Sequence, residues 1–186
     1  MSAEGQSDVL GIPAPDFALR GVDGQIYTRD GCRGEAGLLV VFMCNHCPYV
    51  KAVLDRIMRD AHDLERFGIG TVAISSNDSV TWPEDSFEEM QRLAREKTFA
   101  FPYLFDETQQ VARAYEAICT PDFFGFNSQL ELQYRGRLDA SRREAIPDAP
   151  RELFDAMKMI ATLGYGPVVQ HPSFGCSIKW RESVAA

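Results

Sequence analysis

The spacing of apolar residues predicts an alternation of strands and helices. Residues 38–43 are all apolar, a pattern typical of a strand buried on both faces of a sheet. From residue 48 to residue 67, apolar residues recur at three- and four-residue steps, which predicts a long amphipathic helix. The β-branched segment 71–75 predicts a second buried strand. A strand, a helix and a strand in this order predict a parallel pair joined by a right-handed crossover.

Shorter signals predict the remaining elements. Residues 86–89 (Ser-Phe-Glu-Glu) form a capping-box sequence that begins a helix to about residue 97, and Asp106 can cap a second helix that ends near Tyr115. A short strand is expected between these helices, a β-hairpin at each of two turn sequences, and a final helix. The expected ranges are a strand at 101–105, hairpins around 23–24 and 127–129, and a last helix over 150–163 with Pro150 in its first turn.

The order of these elements predicts one α/β domain, a central mixed β-sheet flanked by helices on both faces, with an N-terminal β-hairpin. The chain has 186 residues, about the length of one domain, and it contains no internal repeat or Ser/Gly-rich linker. We therefore predict a flexible N-terminus at residues 1–10, a single domain at 11–180 and a C-terminal tail at 181–186.

Composition and charge argue against several classes of partner. Lys and Arg total 19 against 27 Asp and Glu, a net charge of −8, and no basic run offers nucleic-acid phosphates a binding surface. No apolar run approaches the roughly 18 residues that a membrane span needs. The N-terminal residues lack the basic and apolar regions of a secretory signal, so a cytoplasmic location is expected. The sequence predicts a soluble protein with neither a nucleic-acid nor a membrane partner.

Two of the five cysteines, Cys44 and Cys47, form a CxxC motif where the buried strand turns into the long helix. Side chains three residues apart can meet on one face of a first helical turn, so a disulfide between them is feasible. Unpaired backbone N–H groups and the helix dipole favour a thiolate there and lower a cysteine pKa. Half a zinc site and two buried thiols are the alternatives, but no second CxxC or HxxxH offers further ligands. The motif therefore favours redox chemistry, with no metal and no cofactor.

With these features the chain resembles the thioredoxin-fold superfamily, and more closely its peroxiredoxin-like, alkyl hydroperoxide reductase/thiol-specific antioxidant branch, from about residue 11 to residue 180. The resemblance rests on segments 14–19, 23–24, 44–48, 120–121, 136–139 and 175–180 (Ala-Pro-Asp-Phe-Ala-Leu, Asp-Gly, Cys-Asn-His-Cys-Pro, Thr-Pro, Gly-Arg-Leu-Asp and Gly-Cys-Ser-Ile-Lys-Trp). It implies a thioredoxin-like fold and an antioxidant oxidoreductase with a redox-active disulfide, in which Cys44 attacks and Cys47 resolves. It also implies that Pro121 is a cis-proline and that Thr120 pairs with a substrate's backbone.

The motif departs from the thioredoxin pattern. Thioredoxins carry Gly-Pro between the cysteines and usually Trp before them, whereas this chain has Asn45 and His46 inside the motif and Met43 in front of it. The substrate surface and the redox potential are therefore not transferable from thioredoxins. We expect His46 to stabilise the Cys44 thiolate and so to make the disulfide more oxidising, with a solvent-facing turn residue as the alternative.

The motif also matches the peroxiredoxin pattern only in part. That pattern, Pro-x-x-x-Thr-x-x-Cys, is often followed by proline, and Cys47 and Pro48 take the places of its last two residues. Cys44 stands at the position of the threonine and Val40 at that of the first proline. The mismatch disfavours an efficient peroxidase but permits a slow one, because any accessible thiolate reacts with peroxide.

Three further cysteines lie outside the motif. Cys119 precedes Thr120 and Pro121 and is an alternative resolving thiol if that loop approaches the motif. Cys176 reaches the motif only if the C-terminal segment folds back onto the domain. Buried packing is the favoured interpretation of both residues, and Cys32 is expected to be an unpaired loop thiol.

We predict a thiol-disulfide oxidoreductase that uses the Cys44/Cys47 pair through a mixed-disulfide intermediate. Its partners are a protein or small-molecule disulfide and an unidentified thiol electron donor. The alternative is a peroxiredoxin-like thiol peroxidase with Cys47 as the peroxidatic cysteine, and the third interpretation is a non-enzymatic redox-sensing or interaction module. We further expect Cys44 to be the more exposed and more reactive thiol, and the bond between Thr120 and Pro121 to be cis and to face the motif.

Overall fold

The computed structural model describes residues 2–4 and 10–182. Its strands are β1 (Ser2–Glu4), β2 (Ala18–Gly21), β3 (Ile26–Thr28), β4 (Gly37–Phe42), β5 (Ile69–Ser75), β6 (Tyr103–Phe105), β7 (Cys119–Thr120), β8 (Asp122–Asn127), β9 (Leu132–Gly136) and β10 (Phe174–Ser177). Its helices are α1 (Arg29–Cys32), α2 (Pro48–Glu65), α3 (Phe87–Lys97), α4 (Gln110–Ala114) and α5 (Glu152–Leu163). Every helix in the described part of the chain is too short or too polar to cross a lipid bilayer.

A seven-stranded mixed sheet forms the centre of the molecule, in the order β3-β2-β6-β5-β4-β8-β9. Strand β4 pairs in parallel with β5 and antiparallel with β8, and β5 pairs in parallel with β6. The parallel pair predicted from the strand–helix–strand pattern is therefore confirmed. The N-terminal hairpin is β2 and β3, and the second predicted hairpin is β8 and β9.

The apolar strand β4 is buried on both faces because each face packs against a separate core. Leu39 and Val41 belong to a core cluster shared with α2 and α5. Leu38, Val40 and Phe42 belong to a cluster on the opposite face, which includes residues of α4. Full burial of each large apolar side chain stabilises the fold by about 1.5–3 kcal/mol. The predicted mixed sheet with helices on both faces is confirmed.

A second, three-stranded sheet has the order β1-β10-β7 and is antiparallel throughout. In it Cys176 of β10 lies opposite Thr120 of β7. The sequence pattern predicted neither β1 nor β10. Residues 1 and 5–9 of the predicted N-terminal segment 1–10 and residues 183–186 of the predicted tail lie outside the described residues. The second sheet brings the C-terminal part of the chain against the loop that contains Pro121.

Two predicted helix starts are wrong. Helix α4 begins at Gln110 after a left-handed Gln109, not directly after Asp106. The Asp106 carboxylate still caps the helix from outside the N-cap position, because it accepts from the Val111 N–H at 3.4 Å and from the Ala112 N–H at 2.9 Å, and it also accepts from the Ser76 hydroxyl at 2.8 Å. The last helix begins at Glu152, two residues after Pro150. By contrast, Ser86 caps α3 as predicted and accepts from the Glu89 N–H.

Candidate active site

The CxxC motif spans the turn between β4 and α2. Cys47 is the N-cap residue of α2, and Pro48 is the first residue of the helix. Proline suits this position because the first N–H of a helix has no partner inside the helix and the fixed φ of proline is close to the helical value. Cys44 lies three residues earlier, outside the helix. Cys47 therefore occupies the end of the helix where backbone N–H groups and the helix dipole favour a negative charge.

The loop that contains Pro121 faces this turn. The peptide bond between Thr120 and Pro121 is cis, which confirms the prediction. The Cys47 Sγ lies 3.1 Å from the Thr120 carbonyl oxygen, and the Cys44 Sγ lies 3.4 Å from the Thr120 hydroxyl. The structure thus brings together the four residues that the sequence analysis placed nearest the chemistry.

Neither cysteine of the motif is accessible to solvent. Cys44 is 1% exposed and Cys47 is 0% exposed, so both thiols are buried and the expected difference in their exposure is negligible. The prediction relied on the place of Cys44 as the first cysteine of the motif, which does not indicate which other segments of the chain pack over the turn. A reaction partner therefore reaches these sulfur atoms only after a local opening of the site.

The pKa values of the two cysteines move in opposite directions. A hydrogen bond from the Cys44 thiol lowers the pKa of Cys47 to about 5 against the opposing effect of burial, and Cys176, Thr120 and the Val50 backbone N–H contribute further hydrogen bonds. The same sulfur–sulfur hydrogen bond, followed by burial and the negative charge of Asp85, raises the pKa of Cys44.

One contact favours the protonated form of Cys47. Its Sγ–H donates to the Thr120 carbonyl oxygen, and a thiolate loses that bond. The donors around Cys47 outnumber this single acceptor, and helix α2 adds its dipole. The pKa of Cys47 is thus lowered and that of Cys44 is raised, whereas the sequence analysis expected the thiolate at Cys44. The order of reactivity itself stays a prediction.

A buried carboxylate fixes the shape of the turn. Asp85 has no exposed surface, and it accepts hydrogen bonds from the backbone N–H groups of Asn45 at 2.8 Å and His46 at 3.2 Å. Its second oxygen contacts the His46 Nδ1 at 2.6 Å and accepts from the Asn77 amide at 2.7 Å. No local sequence pattern signals the contact of Asp85 with a turn forty residues earlier.

His46 lies between Asp85 and an aromatic ring. Its imidazole stacks on Trp82, with ring centroids 5.4 Å apart and an interplanar angle of 9°. The contact of its Nδ1 with Asp85 directs this nitrogen toward the carboxylate. The proposed effect of His46 on the Cys44 thiolate stays a prediction.

The same turn contains a possible group of metal ligands. One ligand atom each of Cys44, His46 and Asp85 lies within 4.8 Å of the others. Both oxygens of Asp85 already accept hydrogen bonds from the turn and from Asn77. A cation at this position would replace contacts that hold the CxxC turn, so the donor set fits a structural role for Asp85 better than metal binding.

The remaining cysteines differ in their distance from the reaction centre. Cys176 lies opposite Thr120 in the second sheet, and its thiol contributes to the lowered pKa of Cys47. Cys119 is fully buried, and its Sγ donates to the Pro121 carbonyl oxygen at 3.5 Å. Cys32, at the end of α1, packs against the opposite core cluster. The C-terminal segment therefore does fold back onto the motif.

A small cavity flanks the cis-proline. It has a volume of about 180 Å³, and Tyr49, Pro121 and Phe174 contribute to its wall. Tyr49 is the second residue of α2, and its ring packs edge-on against Phe174 with centroids 5.5 Å apart. This cavity adjoins the elements that carry Cys47 and Cys176.

Residues 10–137 of the chain match the AhpC/TSA family. The chain is similar to an uncharacterized conserved protein from Geobacillus kaustophilus, with 43% identity, a TM-score of 0.93 and coverage of 99% of this chain and 98% of that one. It is similar to a hypothetical protein from Sinorhizobium meliloti, with 34% identity, a TM-score of 0.92 and coverage of 97% and 99%. The comparison with curated proteins gave no match.

A more distant likeness concerns the fold alone. The thioredoxin domain of a thiol-disulfide oxidoreductase from Bacteroides vulgatus shares 14% identity and a TM-score of 0.59, over 73% of this chain and 91% of that one. The family match covers β2 to β9 and includes the CxxC turn and the cis-proline loop. The chain therefore belongs to the AhpC/TSA family and is an oxidoreductase with a thioredoxin-like fold.

Proposed function

We propose that the chain is a thiol-disulfide oxidoreductase in which Cys47 is the nucleophile and Cys44 is the resolving thiol. The observation that carries the proposal is the position of Cys47 at the N-cap of α2, where Cys44 donates a hydrogen bond to its sulfur. The thiolate is the reactive form of cysteine, so the sulfur with the lowered pKa is the one that attacks. This order reverses the one that the resemblance implied.

The reaction proceeds in two exchange steps. The Cys47 thiolate attacks one sulfur of a substrate disulfide, forms a mixed disulfide and expels the other substrate sulfur as a thiolate, which takes up a proton. The Cys44 thiol then attacks the Cys47 sulfur, and its proton passes to the second departing substrate sulfur. The substrate disulfide is reduced by two electrons and the Cys44–Cys47 disulfide is formed. An external thiol donor returns the two electrons.

The charge of Asp85 supports this division of roles. It contributes to the raised pKa of Cys44 and so keeps that residue protonated in the resting state. A protonated Cys44 stabilises the Cys47 thiolate by donating to it and does not compete with it for substrate. After Cys47 has formed the mixed disulfide, its negative charge is gone and Cys44 becomes the next nucleophile.

A peroxiredoxin-like peroxidase is the second candidate, and one observation favours it. Cys47 and Pro48 begin α2 in the order of the peroxidatic Cys-Pro pair, and the Cys47 pKa is low. In that reaction the Cys47 thiolate attacks hydrogen peroxide, becomes a sulfenic acid and releases hydroxide, which is protonated to water. Cys44 then condenses with the sulfenic acid to form the disulfide and a second water. A redox sensor undergoes the same oxidation without turnover.

Single-turnover measurements on Cys44→Ser separate these candidates. With a small disulfide, we expect this variant to release one thiol and to form a mixed disulfide on Cys47, which is stable once Cys176→Ser has removed the other thiol near Cys47. Cys47→Ser should release none, and Cys32→Ser should behave as the unmodified protein. Trapping of the mixed disulfide on Cys44 in the Cys47→Ser variant would contradict the proposed order.

The same variant tests the peroxidase. Cys44→Ser has a hydroxyl where the peroxiredoxin pattern has threonine, so a peroxidatic Cys47 should react rapidly and saturably with hydrogen peroxide. The resulting sulfenic acid is captured by a selective probe. We expect slow, unsaturable oxidation together with rapid disulfide exchange. Rapid saturable oxidation would make peroxide the substrate, and oxidation of the unmodified protein without multiple turnovers would indicate a sensor.

A further inference from the structure

Cys176 contacts the proposed nucleophile from a third segment of the chain. It lies in β10, directly opposite Thr120 of β7. The Cys47 Sγ lies 3.1 Å from the carbonyl oxygen of that same Thr120, and the Cys176 and Cys44 thiols both lower the Cys47 pKa. Cys47 therefore has two sulfur neighbours, one in its own turn and one on a strand more than one hundred residues later in the chain.

The close approach of β10 requires a glycine beside Cys176. A Cβ atom at Gly175 would lie 2.1 Å from the Thr120 carbonyl oxygen and 2.6 Å from its carbonyl carbon, closer than a side chain can approach backbone atoms. The same carbonyl oxygen lies 3.1 Å from the Cys47 Sγ. Gly175 thus allows the strand to pass against the cis-proline loop and to hold the next residue, Cys176, at Cys47.

The three sulfur atoms differ in their access to solvent. Cys44 and Cys47 are 1% and 0% exposed, whereas Cys176 is only partly buried. The rate of thiol-disulfide exchange depends on access to the sulfur under attack. A disulfide between Cys44 and Cys47 is therefore shielded from a protein-sized reductant, and a disulfide that includes Cys176 is not.

We propose that Cys176 is a third redox-active residue. It replaces Cys44 as the disulfide partner of Cys47, and the resulting disulfide is the one that external thiols reduce. The inference rests on the proposed function, because Cys47 has to be the exchanging sulfur. In the transfer, the Cys176 thiol attacks the Cys47 sulfur of the Cys44–Cys47 disulfide. The Cys47–Cys176 bond forms, the Cys44–Cys47 bond breaks, and the proton of Cys176 passes to Cys44. No electrons enter or leave the protein in this step.

Reduction then begins at the accessible sulfur. An external thiolate attacks the Cys176 sulfur and expels Cys47 as a thiolate, and a second external thiol attacks the mixed disulfide on Cys176. Cys176 leaves as a thiol and the two external thiols form a disulfide, so they supply the two electrons. Cys47 is the better leaving group of the pair, because its pKa is about 5 and that of Cys176 is raised to about 12, mainly by burial.

Disulfide mapping tests whether the bond forms. The protein is oxidised with one equivalent of diamide, alkylated and digested with trypsin, which places Cys44 and Cys47 in peptide 34–51 and Cys176 in peptide 159–179. We expect these peptides to be cross-linked in part of the unmodified protein and in most of the Cys44→Ser variant, where Cys47 has no other nearby partner in its turn. Absence of this cross-link from both proteins would overturn the proposal.

Reduction rates test whether the bond is used. Oxidised Cys176→Ser is compared with oxidised Cys32→Ser, which removes a partly buried thiol of the opposite core, and each is reduced by thioredoxin or by dithiothreitol. We expect Cys176→Ser to slow reduction by thioredoxin at least about tenfold and reduction by the small dithiol much less. Equal thioredoxin rates for the two variants would overturn the relay.

The two proposals fail in different ways. If Cys47→Ser retains disulfide exchange, the proposed function itself is wrong. If Cys47→Ser loses exchange while Cys176→Ser matches Cys32→Ser in every rate, Cys47 remains the nucleophile and only the role of Cys176 is lost.

Discussion

Cys47 contacts the Thr120 carbonyl of the cis-proline loop and Cys119 contacts the Pro121 carbonyl, and both thiols are fully buried, yet their pKa values move in opposite directions. Hydrogen bonds to the Cys47 sulfur lower its pKa to about 5. Burial and the neighbouring charge of Asp122 raise the pKa of Cys119. The Cys119 thiol donates to a carbonyl oxygen, which binds only the protonated form. Burial alone therefore does not set reactivity; the donors that surround the buried sulfur do.

The largest expected effect separates these two thiols by activity. Cys47→Ser should reduce disulfide exchange by several orders of magnitude, because a serine hydroxyl is protonated at neutral pH and does not replace a nucleophilic thiolate. Cys119→Ser should retain the rate of the unmodified protein, since its thiol takes no part in exchange. Circular dichroism of both variants checks that the fold persists. Equal losses of activity in the two variants would remove the distinction.

The pH dependence of alkylation sharpens the same comparison. In the native protein, the rate of Cys47 labelling by iodoacetamide should rise with pH, reach half its maximum near pH 5 and then level off, because the thiolate is the reacting species. Cys44→Ala removes the hydrogen-bond donor and should move this midpoint to higher pH. Cys119 should be labelled only after denaturation. A Cys47 midpoint near pH 9 would contradict the assignment of the thiolate.

The free energy of unfolding should depend on the protonation of Asp122, the carboxyl group that neighbours Cys119. Burial raises the pKa of this carboxyl from 3.8 to about 6. Protonation of Asp122 therefore stabilises the folded state. This contribution to the free energy of unfolding is complete below about pH 4 and is lost as the pH rises through about 6. The full difference corresponds to about 3 kcal/mol.

Urea unfolding of Asp122→Asn measures this contribution. The free energy of unfolding of the unmodified protein, minus that of the variant, should be larger at pH 4 than at pH 8. Subtraction of the variant removes the pH dependence of all other groups. A difference that does not change with pH would show that Asp122 has the same pKa in the folded and unfolded states.

The smallest expected effect concerns the hydroxyl that faces Cys44 across the loop. Thr120→Val keeps the shape of the side chain and removes a hydrogen bond worth about 1 kcal/mol, which corresponds to about a fivefold slower single-turnover exchange. The alkylation midpoint of Cys47 should rise slightly in the same variant, because Thr120 also lowers the Cys47 pKa. An unchanged rate and midpoint would leave the hydroxyl with a packing role only.

Local patterns predicted those parts of the fold that depend on neighbours in the chain. The strand β4 was recognisable because a strand buried on both faces is continuously apolar. The helix α2 was recognisable because a helix with one buried face repeats its apolar residues every three or four positions. The start of α4 was mistaken because the carboxylate of Asp106 bonds to N–H groups five and six residues later, beyond the reach of an ordinary N-cap. Capping rules describe spacing within one turn and do not include this arrangement.

The sequence by itself determined that a CxxC motif ends a buried strand, that a helix follows at Pro48 and that Pro121 precedes a strand. Only the tertiary structure decided which groups surround the two sulfur atoms and therefore in which direction each pKa moves. Asp85 reaches the turn from the short segment before α3, and Cys176 lies in β10 opposite Thr120, so neither position has a signal in the local pattern. The reason is physical: a pKa depends on charges and hydrogen-bond donors within a few ångströms in space, whatever their distance along the chain.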